Sequence, residues 1–202
     1  VFNKFCFLLV SVIVLFSNAI YANEDADGLP LRELIDDKSL CYMAAKEAGA
    51  EYGVNLDLLQ TISVVESGRW DSLQNRYVAW PWTVNVAGKG HYFASRDEAV
   101  AFVRKLQKQG VTSIDVGCMQ INLKYHGEAF SSVEEAIDPQ KNVKYSAKFL
   151  RKLYAKSGNS WRNAAKKYHS SNPDKGEAYT QRLENRFQTY RIAGYARNSK
   201  LF

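Results

Sequence analysis

The chain has 202 residues, 46% hydrophobic and 24% charged, with a formal net charge of +6. Those proportions suit one ordinary hydrophobic core, and four prolines and twelve glycines exclude collagen-like or proline-rich sequence. Three cysteines without a C-x-x-C pair exclude a disulfide-built miniprotein and a zinc knuckle, and no apolar run reaches the ~20 residues of a membrane-spanning helix.

Lys4 opens the chain with positive charge, residues 5–16 are apolar and uncharged, and small residues follow at Ser17, Ala19 and Ala22. That order is the pattern of a secretory signal peptide, with cleavage after Ala19 or Ala22 and a boundary set at residues 1–22. An exported chain carries Cys41 and Cys118 into an oxidising compartment. There they form a disulfide or stay as two buried thiols, and sequence supplies no distance to choose between these. Residues 23–38 are acidic and polar and read as a flexible leader, leaving 39–202 as the folded domain.

From residue 39 the pattern is helical, with Leu40, Met43, Ala44 and Ala48 in phase up to Tyr52-Gly53. Asn55 is an N-cap for a second helix whose stripe is Leu58, Leu59, Ile62 and Val65. That helix ends at Glu66-Ser67-Gly68, with Gly68 at a C-cap position. Trp80, Trp82, Val84, Val86, Tyr92 and Phe93 flank Gly88-Lys89-Gly90 and predict an aromatic β-hairpin over 79–94. Ser95 and Glu98 form a capping box for a helix carrying Ala99, Phe102, Val103 and Leu106 to Gly110, so hairpin and helix together read as an insertion over about 79–110. Residues 111–116 read as a short extended segment. Asp138-Pro139 starts a helix with Val143, Ala147, Leu150, Leu153 and Tyr154 inward. A short helix spans 161–168, and a last one runs from Pro173 through Tyr179, Leu183, Phe187 and Tyr190. The fold class expected is mainly α with a small β-hairpin insertion.

Most standard chemistries are missing. Gly88-Lys89-Gly90 lacks the rest of a phosphate loop, and no Gly-x-Ser-x-Gly elbow occurs. His91, His126 and His169 have no partner at metal spacing, so no metal or cofactor is expected. Arg186, Phe187, Tyr190, Arg191, Tyr195 and Arg197 read as one core face and one solvated face at helical spacing rather than a nucleic-acid platform. One carboxylate stands apart. Glu66 closes an apolar helix at its negative end, and both the dipole and the apolar neighbours push its pKa upward, as a general acid near neutrality requires.

The segment from Ile62 to Gly68, Ile-Ser-Val-Val-Glu-Ser-Gly, resembles the helix-ending Glu-Ser segment of the family 1 (SLT-type) lytic transglycosylases, lysozyme-like enzymes that cut peptidoglycan. Gly117-Cys118-Met119-Gln120-Ile121-Asn122 is similar to that family's Gly-Leu-Met-Gln-Ile-Asn. Asp138-Pro139-Gln140-Lys141-Asn142-Val143 resembles its Asp-Pro-x-x-Asn-Ile helix start, and Asn163-Ala164-Ala165-Lys166-Lys167-Tyr168 its Ala-x-x-Tyr-Asn segment. The four elements keep the family's order. The chain departs from the pattern in a longer spacing between Glu66 and Gly117, which holds a Pro-Trp-Thr-x-Asn hairpin that some exported members share. It also departs after Tyr168, where Asn-x-Gly is replaced by His169-Ser170-Ser171.

The resemblance implies a lysozyme-like fold and cleavage of the β-1,4 bond between N-acetylmuramic acid and N-acetylglucosamine, forming a 1,6-anhydro sugar with Glu66 as the single acid and base. It implies that Gln120, Asn122 and Tyr168 bind substrate, with Asn85 on the cleft wall. Trp80, Trp82 and Tyr92 are further candidates, for stacking on sugars or for packing the insertion. Ordinary glycosidases need a second carboxylate, for which Asp71 and Asp115 are the nearest candidates, but a 2-acetamido sugar can supply its own oxygen. The implied partner is the peptidoglycan glycan strand, met in the periplasm or after secretion, with no nucleic acid and no membrane span after signal removal. A secretion, conjugation or flagellar apparatus is the assembly such an enzyme would serve. The alternatives are a hydrolytic muramidase and a non-catalytic wall-binding or secretion-assembly protein.

Overall fold

A computed structural model describes residues 36–194 and 200–202. The signal-peptide reading, the leader up to residue 35, and Tyr195 and Arg197 lie outside the described residues. Eight α-helices and six short strands are present among those described. The order is α1 (Asp37–Tyr52), α2 (Leu56–Ser67), β1 (Gly68–Asp71), β2 (Arg76–Ala79), β3 (Thr83–Val86), β4 (Lys89–Tyr92), α3 (Arg96–Lys108), β5 (Ile114–Val116) and β6 (Ile121–Asn122). There follow α4 (Leu123–His126), a 3-10 turn (Gly127–Ala129), α5 (Val133–Ile137), α6 (Pro139–Ala155), α7 (Trp161–His169) and α8 (Pro173–Ile192). The fold is mainly α with a small antiparallel insertion, as the pattern predicts.

Local signals place most helix starts. Asn55 Oδ1 accepts from Asp57 N at 2.8 Å, Asp138 Oδ1 from Lys141 N at 3.0 Å, and Ser160 Oγ from Asn163 N at 3.2 Å. The box at Ser95 forms, with Ser95 Oγ accepting from Glu98 N while the Glu98 carboxylate accepts from Ala94 N. The first helix starts at Asp37, inside the segment read as leader, because Asp36 caps it through Lys38 N.

The β region is larger than the single hairpin expected. β1 and β2 pair antiparallel, Gly68 opposite Ala79. A separate four-stranded sheet has the order β4-β3-β5-β6, with Asn85 opposite both Gly90 and Asp115. The β3–β4 turn is Ala87-Gly88, both at positive φ, so Gly88 rather than the whole glycine pair makes the reversal. Gly68 also differs from expectation. It is extended at φ −62 and opens β1 instead of capping α2 in the left-handed region. Its missing side chain is needed for space, since a Cβ there would meet the Val64 carbonyl oxygen at 2.3 Å.

Two hydrophobic clusters hold the fold. One unites α1, α2, α6 and α8 through Ala45, Leu58, Leu59, Ile62, Val143, Leu150, Tyr179 and Leu183. The other packs α3 and α5 on the sheet through Val84, Val103, Ile114, Val116 and Ile137. Trp80 and Trp82 belong to this second cluster, 6% and 7% exposed. Their indole N–H groups donate to Phe93 O and to Asp37 Oδ2. Packing the insertion is therefore their role, and no face remains for sugar stacking. The cysteine alternative resolves as a disulfide, Cys41–Cys118, tying α1 to the β5–β6 connection across 77 residues.

Candidate active site

Glu66 is the penultimate residue of α2, and the helix end is bolted to the Gly117–Asn122 connection. Ser67 is fully buried, and its hydroxyl lies 2.9 Å from the carbonyls of both Ser63 and Cys118. The connection is held in turn by buried Asn142. Its amide nitrogen donates to Val116 O and Ala136 O, and its oxygen accepts from Met119 N. Gly117 has φ +80, and a Cβ would meet that amide at 2.5 Å, so both backbone and space require glycine. These bonds bring two segments fifty-one residues apart in sequence to the floor of one cleft.

The cleft has a cavity of about 490 Å³. Glu66, Asn85, Asp115, Gln120, Asn122 and Tyr168 line it together, with Phe149, His126 and His169 completing the wall. Glu66 and the four residues expected to bind substrate, Asn85, Gln120, Asn122 and Tyr168, thus lie around one cavity. Gln120, at φ 47, donates its amide nitrogen to Gly117 O at 2.9 Å and Thr83 O at 3.2 Å. Asn122 donates to Asp115 Oδ1 at 2.8 Å and Ser113 Oγ at 3.0 Å, and accepts from Lys124 N to cap α4. Both amides are engaged with protein groups, Asn122 more completely. Asn85 lines the cavity from β3. Tyr168 donates to Met119 O at 2.9 Å, beside Ser146 Oγ at 3.2 Å, and its pKa is raised by burial and by the Glu66 charge.

The hydrogen bond to Glu66 comes instead from Tyr179, whose hydroxyl donates to Oε1 at 2.6 Å. Burial pushes the Glu66 carboxyl up to about 7, with Asp115 adding to the rise and Tyr179 and Arg182 opposing it. Desolvation is thus the leading cause, ahead of any neighbouring charge. Asp115 is itself raised by burial, against the Asn122 bond. Asp71 is elsewhere: it pairs with Lys38 at 2.8 Å and accepts from Leu73 N and Gln74 N in the β1–β2 turn, which holds its pKa down. Among the described residues no cluster of three His, Cys, Asp or Glu suits a metal ion, and no helix is long and apolar enough to cross a membrane.

A carboxyl whose pKa is pushed up to about 7 at the wall of a polar cleft holds its proton far above the ordinary carboxylate range, the property that general-acid chemistry uses. The family model described as the transglycosylase SLT domain matches residues 43–190, a span from α1 to the last turn of α8. The chain belongs to this SLT family. Comparison with curated proteins and with solved structures finds no match. SLT membership gives the chain a lytic transglycosylase-type, peptidoglycan-cleaving function and peptidoglycan as its substrate.

Within this SLT domain, sequence reading missed the partner of Glu66. Tyr179 has the spacing of a core residue and is fully buried, so the apolar stripe of α8 hides its one polar atom. Its signal was a tyrosine on the buried stripe of α8, since a buried phenol O–H needs an acceptor. His169, expected on the surface or in packing, lies flat on the Tyr179 ring, centroids 4.3 Å apart and planes 2° apart.

Proposed function

We propose that the protein is a lytic transglycosylase that cuts the N-acetylmuramyl–N-acetylglucosamine bond and leaves a 1,6-anhydro end, with Glu66 as acid and then base. The observation that carries this is Glu66 itself: half-buried in the cleft wall, bonded to Tyr179, with its pKa raised to about 7. Its proton goes to the glycosidic oxygen as the bond to C1 of the muramic acid breaks. The 2-acetamido carbonyl oxygen bonds to C1 and takes up the positive charge. The ionised Glu66 then removes the C6 hydroxyl proton, and O6 displaces the acetamido oxygen from C1. Glu66 ends protonated, ready for another cycle, and no water is consumed.

Asn85 on the cleft wall, the Gln120 carboxamide oxygen and the Tyr168 ring edge are the groups that meet the sugars, while Asn122 acts mainly by holding Asp115. The substrate lies outside the cytoplasm, which suits an exported protein. A secretion, conjugation or flagellar apparatus is the assembly that local wall cutting by this chain would serve.

A second reading has one observation behind it: Asp115 shares the cavity with Glu66. A carboxylate there would let water attack, giving a reducing end and a hydrolytic muramidase. Mass spectrometry of peptidoglycan digests separates the two. Anhydro-muropeptides, one water lighter than hydrolytic products and absent with Glu66→Gln, are expected. Reducing-end products would convert the reading to hydrolysis, and binding without any fragments would make the protein a non-catalytic wall or assembly protein.

A further inference from the structure

Helix α6 carries no acidic residue in its 17 positions, and its solvent side is a row of cations. Lys141, Lys144, Lys148, Arg151 and Lys152 recur at three- and four-residue steps and are all exposed, and Lys156 continues the row past the helix end. At about 1.5 Å of rise per residue the row from Lys141 to Lys156 is roughly 22 Å long. The helix dipole favours a cation in the last turn, where Lys152 lies, and does not explain a row of this length.

The two halves of the row differ. Lys141 and Lys144 are compensated, by Glu135 at 3.8 Å and Glu51 at 2.8 Å. Among the described residues Lys148, Arg151, Lys152 and Lys156 have no ion-pair partner. Arg151 is held instead on the rings of Tyr154 and Trp161, 5.0 and 5.8 Å from their centroids, and those two half-buried rings stack at 4.1 Å. Tyrosine and tryptophan at the edge of a lysine cluster are the side chains that settle at a membrane–water boundary. The one apolar residue exposed on α6 is Ala155, so contact through this face is by charge rather than by insertion.

We propose that this face of α6 adsorbs the protein to the surface of an anionic phospholipid bilayer. The charges are complementary, and a convex row of mostly lysines suits the diffuse charge of a lipid surface. A single carboxylate or phosphate ligand is better met by a cleft and a bidentate arginine. Phe149, which lines the Glu66 cleft, stands about a quarter-turn around the same helix from Lys148. An adsorbed molecule therefore holds its cleft beside the bilayer rather than against it. Adsorption is independent of the reaction that Glu66 performs.

Co-sedimentation with lipid vesicles tests this. The native protein is expected to pellet with vesicles of about one-third phosphatidylglycerol in phosphatidylcholine, to stay free with phosphatidylcholine alone, and to be released as salt rises to about 0.5 M. Each cation near an anionic surface strengthens binding about fivefold, so Lys148→Gln/Lys152→Gln is expected to bind about thirtyfold more weakly. Both lysines are exposed and, among the described residues, bond to no other, so the variant keeps its fold, which an unchanged melting temperature checks. Lys105→Gln/Lys108→Gln removes the same charge from the exposed side of α3 and is expected to weaken binding less than about threefold. Equal losses in the two variants would overturn the α6 face in favour of net charge, and no binding to the anionic vesicles at low salt would overturn adsorption outright. Glu66→Gln protein pelleted with purified peptidoglycan supplies the remaining arm. If the α6 substitutions weaken that binding and leave vesicle binding unchanged, the face serves the wall polymer and lipid adsorption is overturned. Each of these failures leaves cleavage by Glu66 standing, whereas a native protein that binds vesicles and cuts no peptidoglycan would keep the face and remove the cleavage reading.

Discussion

Tyr179 reaches across 113 residues of sequence to donate its phenol O–H to Oε1 of Glu66 at 2.6 Å. The pair joins α8 to the end of α2, and His169 from α7 covers the phenol ring. Three helices therefore set the direction of one carboxyl group. The bond favours the ionised carboxylate while burial favours the protonated acid, and burial dominates.

Replacing Tyr179 with Phe removes the bond that favours ionisation. The Glu66 pKa then rises above about 7, and the alkaline limb of the kcat/KM profile moves to higher pH. The carboxyl also loses its aim, and kcat falls about tenfold. A pH–rate profile of the variant reads both effects, and an unmoved limb would mean that the phenol does not tune Glu66.

Glu66 makes a stability prediction with a definite sign. Its folded pKa of about 7 lies above the ordinary 4.5, so the folded state holds a proton that the unfolded state has released between those values. The contribution is fully present below pH 4.5 and is lost as pH rises through 7. Glu66→Gln, which never ionises, is expected to match the native protein at pH 4 and exceed it by about 3 kcal/mol at pH 8. Urea titrations at the two pH values measure the difference.

Asp115 raises the Glu66 pKa through its charge. Asp115→Asn therefore shifts the alkaline limb to lower pH while anhydro products continue to form. A folded Asp115→Asn protein that has lost all cleavage would identify an essential second carboxylate and favour the hydrolytic mechanism.

The Cys41–Cys118 bond closes a loop of 77 residues, and cross-linking of that length restricts the unfolded chain by about 4 kcal/mol. Cys118 also offers its carbonyl to Ser67, one residue from Glu66. A Cys41→Ser/Cys118→Ser protein is expected to lose melting temperature by calorimetry, and adding reductant to the native protein should reproduce the loss. A melting temperature insensitive to both would show that packing alone sets the β5–β6 connection.

Much of the fold was legible because its signals are local. Asn55, Ser95 and Asp138 cap helices within three residues of themselves, and the stripe of Leu58, Leu59 and Ile62 follows from helical periodicity. The β1–β2 hairpin was not legible. Its strands have four residues each, and the burial pattern of β1 does not alternate. Its turn is built by Asp71 accepting two backbone N–H groups. Trp80 and Trp82 look the same in sequence whether they face sugar or core, and only the covering helix α3 and sheet decide that they are buried.

The sequence by itself determined the longer helices, the family and a helix-ending glutamate among apolar neighbours, but not the short α4 and α5, because capping, periodicity and motif order are properties of neighbouring residues. The tertiary structure alone decided which groups surround Glu66. Tyr179, Asp115, Arg182 and His169 come from segments tens of residues away. Desolvation and Coulomb interaction depend on distance through space, so the protonation of Glu66 became a definite quantity only when those segments packed together.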